Sequence, residues 1–360
     1  MLLARLSGTA KEFLDSEINS VVLPEFRLIL FEAGIELCDD PHAEVLISVN
    51  HNKRAYKQFV RNGGFVKNAI LIRLEPDAVY PKQYTKSVES KYGLIISPGS
   101  VQKNRRFFEW PYKYHLNPAK PNELDPNLLD ILGKNLASSL FSYENWSKRE
   151  NLLTMVASNK VSPVRSANYG QRRELARTLP TSVLSVYGTL WTESIRIKSL
   201  HRIAVLVAAL KQGTFPNLRQ VYGNLFVNYT TAKGSIGDKH ELLKRSKFSL
   251  VIENSNQIIT EKIFDSMING CIPIYIGANL QYSNLPPGVA YQIDGSAEEI
   301  TKLIQNYSKE EVELKLTRMS EFLMSASFLE NWSDSKVFEK IGLEVSKYIL
   351  DEAKSNLKAN

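Results

Sequence analysis

Thiols are nearly missing from this chain: among 360 residues only Cys38 and Cys271 occur. Two cysteines so far apart make neither a disulfide framework nor a thiolate metal site, and they suit a reducing compartment. No apolar run is long enough to cross a bilayer, the longest being 203–210. The opening MLLARLSGTAKEFLDSE has no basic region leading into an apolar core and a cleavage site, so the expected location is cytoplasmic. Several chemistries drop out with their signatures. There is no G-x-x-x-x-G-K-[ST] phosphate loop, no G-x-G-x-x-G fingerprint, no H-E-x-x-H zinc helix and no D-x-D metal pair. The five histidines, His42, His51, His115, His201 and His240, form no ligand-spaced cluster and read as structural or surface residues. Charge is spread thinly: 45 Lys+Arg against 38 Asp+Glu leave +7 without a long basic run. That balance suits an anionic ligand, and without a basic stripe or an aromatic RNA-binding motif it does not call for nucleic acid.

What is present is the composition of a globular chain, with 43% hydrophobic and 23% charged residues, and a length that favours two domains over one. Short β-branched apolar runs alternate with helical patterns, which predicts parallel sheets covered by helices on both faces, an α/β fold. Strands are expected at 44–49, 69–74 and 92–96, after a helix at 20–34. A Pro-dense polar segment at 113–127 reads as the exit from a first domain, followed by a helix at 128–141. Further strands are expected at 152–157, 182–187, 248–252, 272–276 and 289–293. The stretch 195–210 is apolar around most of its circumference and predicts a buried helix, and 335–354 predicts a long terminal helix.

The most informative stretch is KFSLVIENSNQIITEKIFDSMINGCIPIYIGANL, 247–280. Glu253 ends a strand and Glu261 opens the helix after Thr260, its expected N-cap. In an open parallel sheet the carboxyl ends of the strands form the ligand crevice, and a helix N-terminus there offers unpaired N–H groups to a phosphate. Carboxylates at such a place accept hydrogen bonds from sugar hydroxyls, and Lys262 is placed to neutralise a pyrophosphate. The plainer alternative makes Glu253 a strand-end cap, and Glu261 and Lys262 an exposed helix start. Arg165 follows Pro163, which suits a first helical turn and would aim the guanidinium at the same crevice. The alternative is a surface arginine, as Arg172 and Arg173 are read to be. Cations at such a place would offset the negative charge of a bound pyrophosphate.

The stretch resembles the donor-binding signature of the α-1,3-fucosyltransferases, glycosyltransferase family 10, through Lys247-Phe248, Glu253-Asn254-Ser255, Thr260-Glu261-Lys262, Ile272-Pro273 and Gly277. TMVASNKVSPVRSANYGQRREL (154–175) and SVLSVYG (182–188) are similar to further strands of that family, and RLEP (73–76) and EWPY (109–112) to its first domain. The resemblance implies two Rossmann-like domains facing across a cleft, the GT-B arrangement. The acceptor domain would span 1–144, the donor domain 145–333, and a final helix over 334–360 would return to the first. It implies inverting transfer of L-fucose from GDP-fucose, without a metal or other cofactor, to a galactose- or N-acetylglucosamine-containing glycan such as lipopolysaccharide. The alternative within the fold is a different nucleotide sugar. By the family's pattern Arg165 and Lys262 hold the diphosphate, Glu253, Asn254 and Glu261 take hydroxyls, and Tyr187 packs near the base or ribose unless it is a core tyrosine. The general base, which inversion requires, is assigned to Glu75 at a strand end before Pro76, with Asp77 and Glu109 in reserve. Glu75 as a simple strand-end cap is the alternative. A Lys-rich terminal helix would allow peripheral membrane contact, though a solvated helix needs none.

Overall fold

The computed structural model describes residues 1–8, 24–98, 107–110, 128–211, 218–223 and 225–359. The Pro-dense 113–127 segment lies outside them, as does the side chain of Glu109. The chain divides into two compact units, Met1–Leu128 with Leu329–Asn360, and Leu129–Phe328.

In the first unit the elements are β1 (Leu2–Gly8), α1 (Pro24–Glu32), β2 (Ile35–Cys38), β3 (Val45–Val49), α2 (Lys53–Arg61), β4 (Ala69–Ile72), α3 (Lys86–Glu89), β5 (Leu94–Pro98) and β6 (Phe107–Trp110). All pair in parallel in the order β2-β1-β3-β4-β5-β6. Every residue of β3 and β4 is buried, as befits parallel strands covered on both faces. Alternation sends Val45, Ile47, Ile70 and Ile72 into one core with Phe26 and Leu30 of α1, and Leu46, Leu71 and Ile95 into another with Ala55 and Phe59 of α2.

At the carboxyl end of β3 the backbone turns through Asn50, whose φ is +55°, a left-handed conformation that asparagine tolerates better than most residues. Next to it His51 is buried and shares a 2.8 Å hydrogen bond with the Tyr92 hydroxyl. Burial, with help from Lys91, Lys82 and Lys53, pulls the His51 pKa from 6.5 down to about 4. Native His51 is therefore neutral where an unfolded histidine would take a proton. Its contribution to stability is complete above pH 6.5 and is lost as the pH falls from 6.5 toward 4, by about 3 kcal/mol in all. Denaturant unfolding should show a fall of roughly 2 kcal/mol from pH 7 to pH 5, and His51→Asn should flatten that dependence. An unaltered pH slope in the variant would contradict this assignment.

In the second unit follow α4 (Leu128–Ala137), α5 (Tyr143–Ser147), β7 (Asn151–Val156), α6 (Tyr169–Thr178), β8 (Leu184–Tyr187), α7 (Ile195–Lys211), α8 (Leu218–Tyr222), β9 (Ala232–Gly234), α9 (Lys239–Lys244) and β10 (Ser246–Ile252). Then come α10 (Glu261–Ile268), β11 (Ile272–Ile276), β12 (Tyr291–Gln292), α11 (Ala297–Asn306), α12 (Lys309–Met324) and α13 (Ala326–Trp332). The sheet is again parallel, ordered β12-β11-β10-β7-β8-β9. The division at Leu128, where the sequence reading placed it after 144, has a physical basis. Trp146 is fully buried with its indole N–H on the Lys247 carbonyl at 2.8 Å, and Arg149 donates to the carbonyls of Ser246 and Gly270. Asn135 reaches the Ile268 carbonyl at 2.8 Å. These anchors bind the segment before β7 to the second sheet.

The chain closes with α14 (Asp334–Ala359), whose Val337, Phe338, Ile341, Val345 and Ile349 complete the core of the first unit against α1. Two helix expectations need correction. The helix near Pro163 starts only at Tyr169, leaving Arg165 in a turn. The helix α7 is not buried: Leu200, Ile203, Val207 and Leu210 are exposed, because its inward face is the one carrying Arg202 and Ala209.

Candidate functional site

The second sheet reverses its winding between β7 and β10: from β7 the chain moves outward to β8 and β9, and from β10 to β11 and β12. Loops leaving the two central strands diverge at such a point and open a crevice at their carboxyl ends. Across it Ala167 bridges Ser255, and the Asn168 amide donates to the Asn254 carbonyl at 3.0 Å. The turn bearing Arg165 is thereby tied to the turn that follows Glu253.

Glu253 emerges from β10 with no exposed surface. One carboxylate oxygen accepts the Thr260 amide at 2.7 Å, and the other accepts the Thr260 hydroxyl at 2.6 Å and the Lys262 ammonium at 3.1 Å. Lys262 also donates to the Thr260 hydroxyl at 2.7 Å and stands 3.7 Å from Glu261. Thr260 is the N-cap of α10 by position, but its hydroxyl serves Glu253 and makes no capping bond. Burial works against the Lys262 charge, yet Glu253 and Glu261 outweigh it and hold the pKa above the ordinary lysine value. For Glu261, burial pushes the pKa up, but Lys262, the N–H at the helix start and Lys239 together bring it below the usual carboxylate range. Both groups are thus charged at neutral pH, with the Lys262 and Glu261 side chains 21% and 38% exposed.

Close approach is built in at Gly277. A Cβ there would collide with the Tyr275 hydroxyl and lie 2.8 Å from Glu253 Cγ, so only glycine lets the end of β11 pass over the carboxylate. Beyond Gly277 opens a cavity of about 920 Å³ whose polar walls include Gln171, Asn256, Gln292, Asp294 and Glu299. Among the described residues no lysine or arginine lines it.

Arg172 and Arg173 are buried, not at the surface. Arg172 donates to the Ile252 carbonyl and, at 2.8 Å, to the Asn254 side-chain oxygen, and packs over the Tyr169 ring. Arg173 donates to the Lys160 carbonyl at 2.9 Å, and burial lowers its pKa to about 10. A signal for this was available: Tyr169, Arg172, Arg173 and Ala176 fall three and four residues apart and share one helix face.

Among the expected site residues, Glu253, Asn254, Glu261, Lys262 and the Arg165 turn meet at this crevice. Glu253 is closed to solvent and engaged entirely within the chain, which makes it a support for the helix start. Tyr187 is half-buried one strand away at the end of β8, and its carbonyl accepts the Ala157 amide. The Ser158-Asn159 pair zips onto the loop after β8 through Thr189 and Leu190. Glu75 belongs to the first unit, in the loop after β4. Its side chain is exposed, while its backbone is fixed by the Asn50 side chain on its amide and by Gln83 and Tyr84 on its carbonyl. Asp77 is half-buried nearby in sequence and accepts the Ala78 amide. Among the described residues no three His, Cys, Asp or Glu side chains come together as a metal site.

No protein-family model matches the chain. It is similar in structure to the crystal structure of Anabaena Alr3699/HepE in complex with UDP and glucose, with a TM-score of 0.53 at 9% identity, covering 96% of this chain and 100% of that one. The fold is of the GT-B type. An α-1,3-fucosyltransferase crystal structure aligns over 96% of this chain and 92% of its own, with a TM-score of 0.48 at 16% identity. In sequence, 42 residues are 50% identical to a fucosyltransferase-like protein of Arabidopsis thaliana. That match spans 11% of this chain and 8% of the relative's length. In the GT-B-type second sheet, the Glu253 to Lys262 cluster occupies the carboxyl end of the central strand β10.

Proposed function

We propose that the protein is a glycosyltransferase that moves L-fucose from GDP-fucose to a hydroxyl of a galactose- or N-acetylglucosamine-containing glycan, forming an α-1,3 linkage with inversion. The observation that carries this reading is the meeting of Lys262, Glu261, Asn254 and the Arg165 turn at the β7/β10 switch point. The likeness of a short stretch to a fucosyltransferase-like protein supports the choice of sugar.

In the proposed step the bond from the anomeric carbon to the diphosphate oxygen breaks as the acceptor oxygen attacks from the opposite face. GDP leaves carrying the extra negative charge, and the acceptor proton passes to the general base. Arg165 and Lys262 stabilise the departing diphosphate without a metal, a role in which fixed cations lower the barrier directly. Glu261 and Asn254 accept donor hydroxyls, Glu253 holds Thr260 and Lys262 in place, and Tyr187 borders the nucleoside. Glu75 is the proposed base. The neutral and acidic walls beyond Gly277 suit uncharged hydroxyls and not phosphate. A second reading keeps this chemistry with a UDP-sugar donor, favoured by the likeness to a structure holding UDP and glucose.

Thermal unfolding with GDP, GDP-fucose, UDP and CMP in the presence of EDTA separates the readings, because a ligand of the native state raises its stability by mass action. A rise confined to GDP and GDP-fucose is expected. Glu75→Gln should keep that rise and lose transfer. A rise with UDP alone would replace the donor, and no rise with any nucleotide would end the reading.

A further inference from the structure

The described walls of the cavity beyond Gly277 all belong to the second unit, and they come from α6, the turn after Glu253, the loop between β11 and β12, and the loop leading into α11. Hydrogen bonds hold those walls in place. Gln292 accepts the Leu280 amide at 2.9 Å and donates to the Ala278 carbonyl at 3.1 Å, which pins the loop after β11 to β12. Gln171 of α6 donates to the Asp294 and Gly295 carbonyls at 3.0 and 3.4 Å. Gly295 has a φ of +90°, and a Cβ there would strike both Gln171 and Ile276, so this approach requires glycine. The result is a preformed cavity of about 920 Å³, at the upper end of the size of small-molecule sites.

What those walls leave unspent identifies the ligand. Asn256 gives its side-chain oxygen to Asn168 at 2.6 Å, and Asn279 gives its own to the Gln281 amide at 2.9 Å. Each keeps an NH2 group without a partner among the described residues. Gln171, with its nitrogen engaged, keeps an acceptor oxygen. Glu299 spends one carboxylate oxygen on the Gly295 amide at 3.3 Å and keeps the other, and the exposed Asp294 carboxylate has no partner among the described residues. Fixed donors and acceptors side by side suit a ligand whose hydroxyls do both. Leu285 and Pro286 in the same walls offer apolar surface to the C–H face of a sugar ring. Two carboxylates with no described cation beside them repel an anion. Gly277 and Asn256 join the cavity to the Glu253 cluster, whereas neither Lys262 nor Arg165 is among its described walls, so a diphosphate finds no counter-charge in it.

We propose that this cavity binds a neutral saccharide and rejects acidic ones, with Asp294 and Glu299 setting that selectivity. Binding of the saccharide follows from the cavity alone; its role as the acceptor rests on the transfer reading above.

The test is a ligand-observed NMR titration of the full chain, without nucleotide, using N-acetyllactosamine and its sialylated form, which adds a carboxylate. Wild type should bind the neutral disaccharide, and the sialylated form about tenfold more weakly. Asp294→Ala should weaken the disaccharide about tenfold, the scale of one hydrogen bond to a charged group, with the melting temperature kept because that side chain is exposed. Asp294→Asn combined with Glu299→Gln keeps acceptors for hydroxyls and for the Gly295 amide but removes both charges. That variant should narrow the gap between the two sugars to about twofold, a ratio that a merely structural role would not move. No binding of the disaccharide, unchanged affinity in Asp294→Ala, equal binding of both sugars to wild type, or an unchanged ratio in the double variant would overturn the proposal. The expected pattern in a protein whose melting temperature no nucleotide raises would support the cavity and end the transfer reading, so the two fail separately.

Discussion

Lys262→Ala and Arg165→Ala are each expected to lower kcat for sugar transfer by about 10²–10³-fold, the usual cost of removing one fixed stabiliser of developing charge. The two should differ in a second readout. Arg165 sits exposed in the turn before α6, so its removal should move the melting temperature little. Lys262 is the charge partner of the buried Glu253, so its removal also destabilises the second unit. Single-turnover rates with saturating donor, together with melting curves, separate the two effects. Unchanged turnover in either variant would remove that residue from the diphosphate role, and equal destabilisation by both would contradict the burial argument.

Glu253→Ala should have the largest effect on stability. The carboxylate has no exposed surface and satisfies the Thr260 amide, the Thr260 hydroxyl and Lys262 together. Deleting it leaves two buried donors and one ammonium without their acceptor, at a cost of about 3 kcal/mol after allowance for the water that reaches Lys262. For a unit of this size that corresponds to roughly 10 °C in melting temperature. Glu253→Gln keeps an acceptor for the Thr260 amide but not the charge, and should fall between. Because Thr260 and Lys262 lose their anchor, the nucleotide-induced rise in melting temperature should shrink in both variants. A melting temperature within a degree or two of wild type for Glu253→Ala would show that water replaces the carboxylate and that the network does not hold the start of α10.

The parts of the fold legible in the sequence were those whose burial is uniform. The strand β11 matches the expected 272–276, and most of β10 matches 248–252, because fully buried parallel strands are continuous apolar runs. Less of β1, β2 and β9 was legible. The opening LLARLSG, read only for what it lacks as a leader, is a strand between β2 and β3, and its partner β2 has only 4 residues. Short mixed runs of this kind become strands through neighbours far along the chain. The wide apolar distribution in α7 suggested burial, but nothing local told which face would meet the body of the unit. Arg172 and Arg173 were misjudged for the opposite reason: their helix-face periodicity was present, but charge was taken to mean exposure.

By itself the sequence determined the parallel α/β class and the spacing that sets Glu253, Glu261 and Lys262 around one strand-to-helix turn, because both follow from local periodicity and chain geometry. Only the tertiary structure decided that Glu253 is sealed beneath Thr260 and Lys262, that Arg172 holds Asn254 from below, and that α7 turns its leucines outward. Each of those outcomes is set by burial and pairing between segments distant in the chain, such as the 82-residue separation of Arg172 and Asn254, and no local pattern encodes which partner arrives.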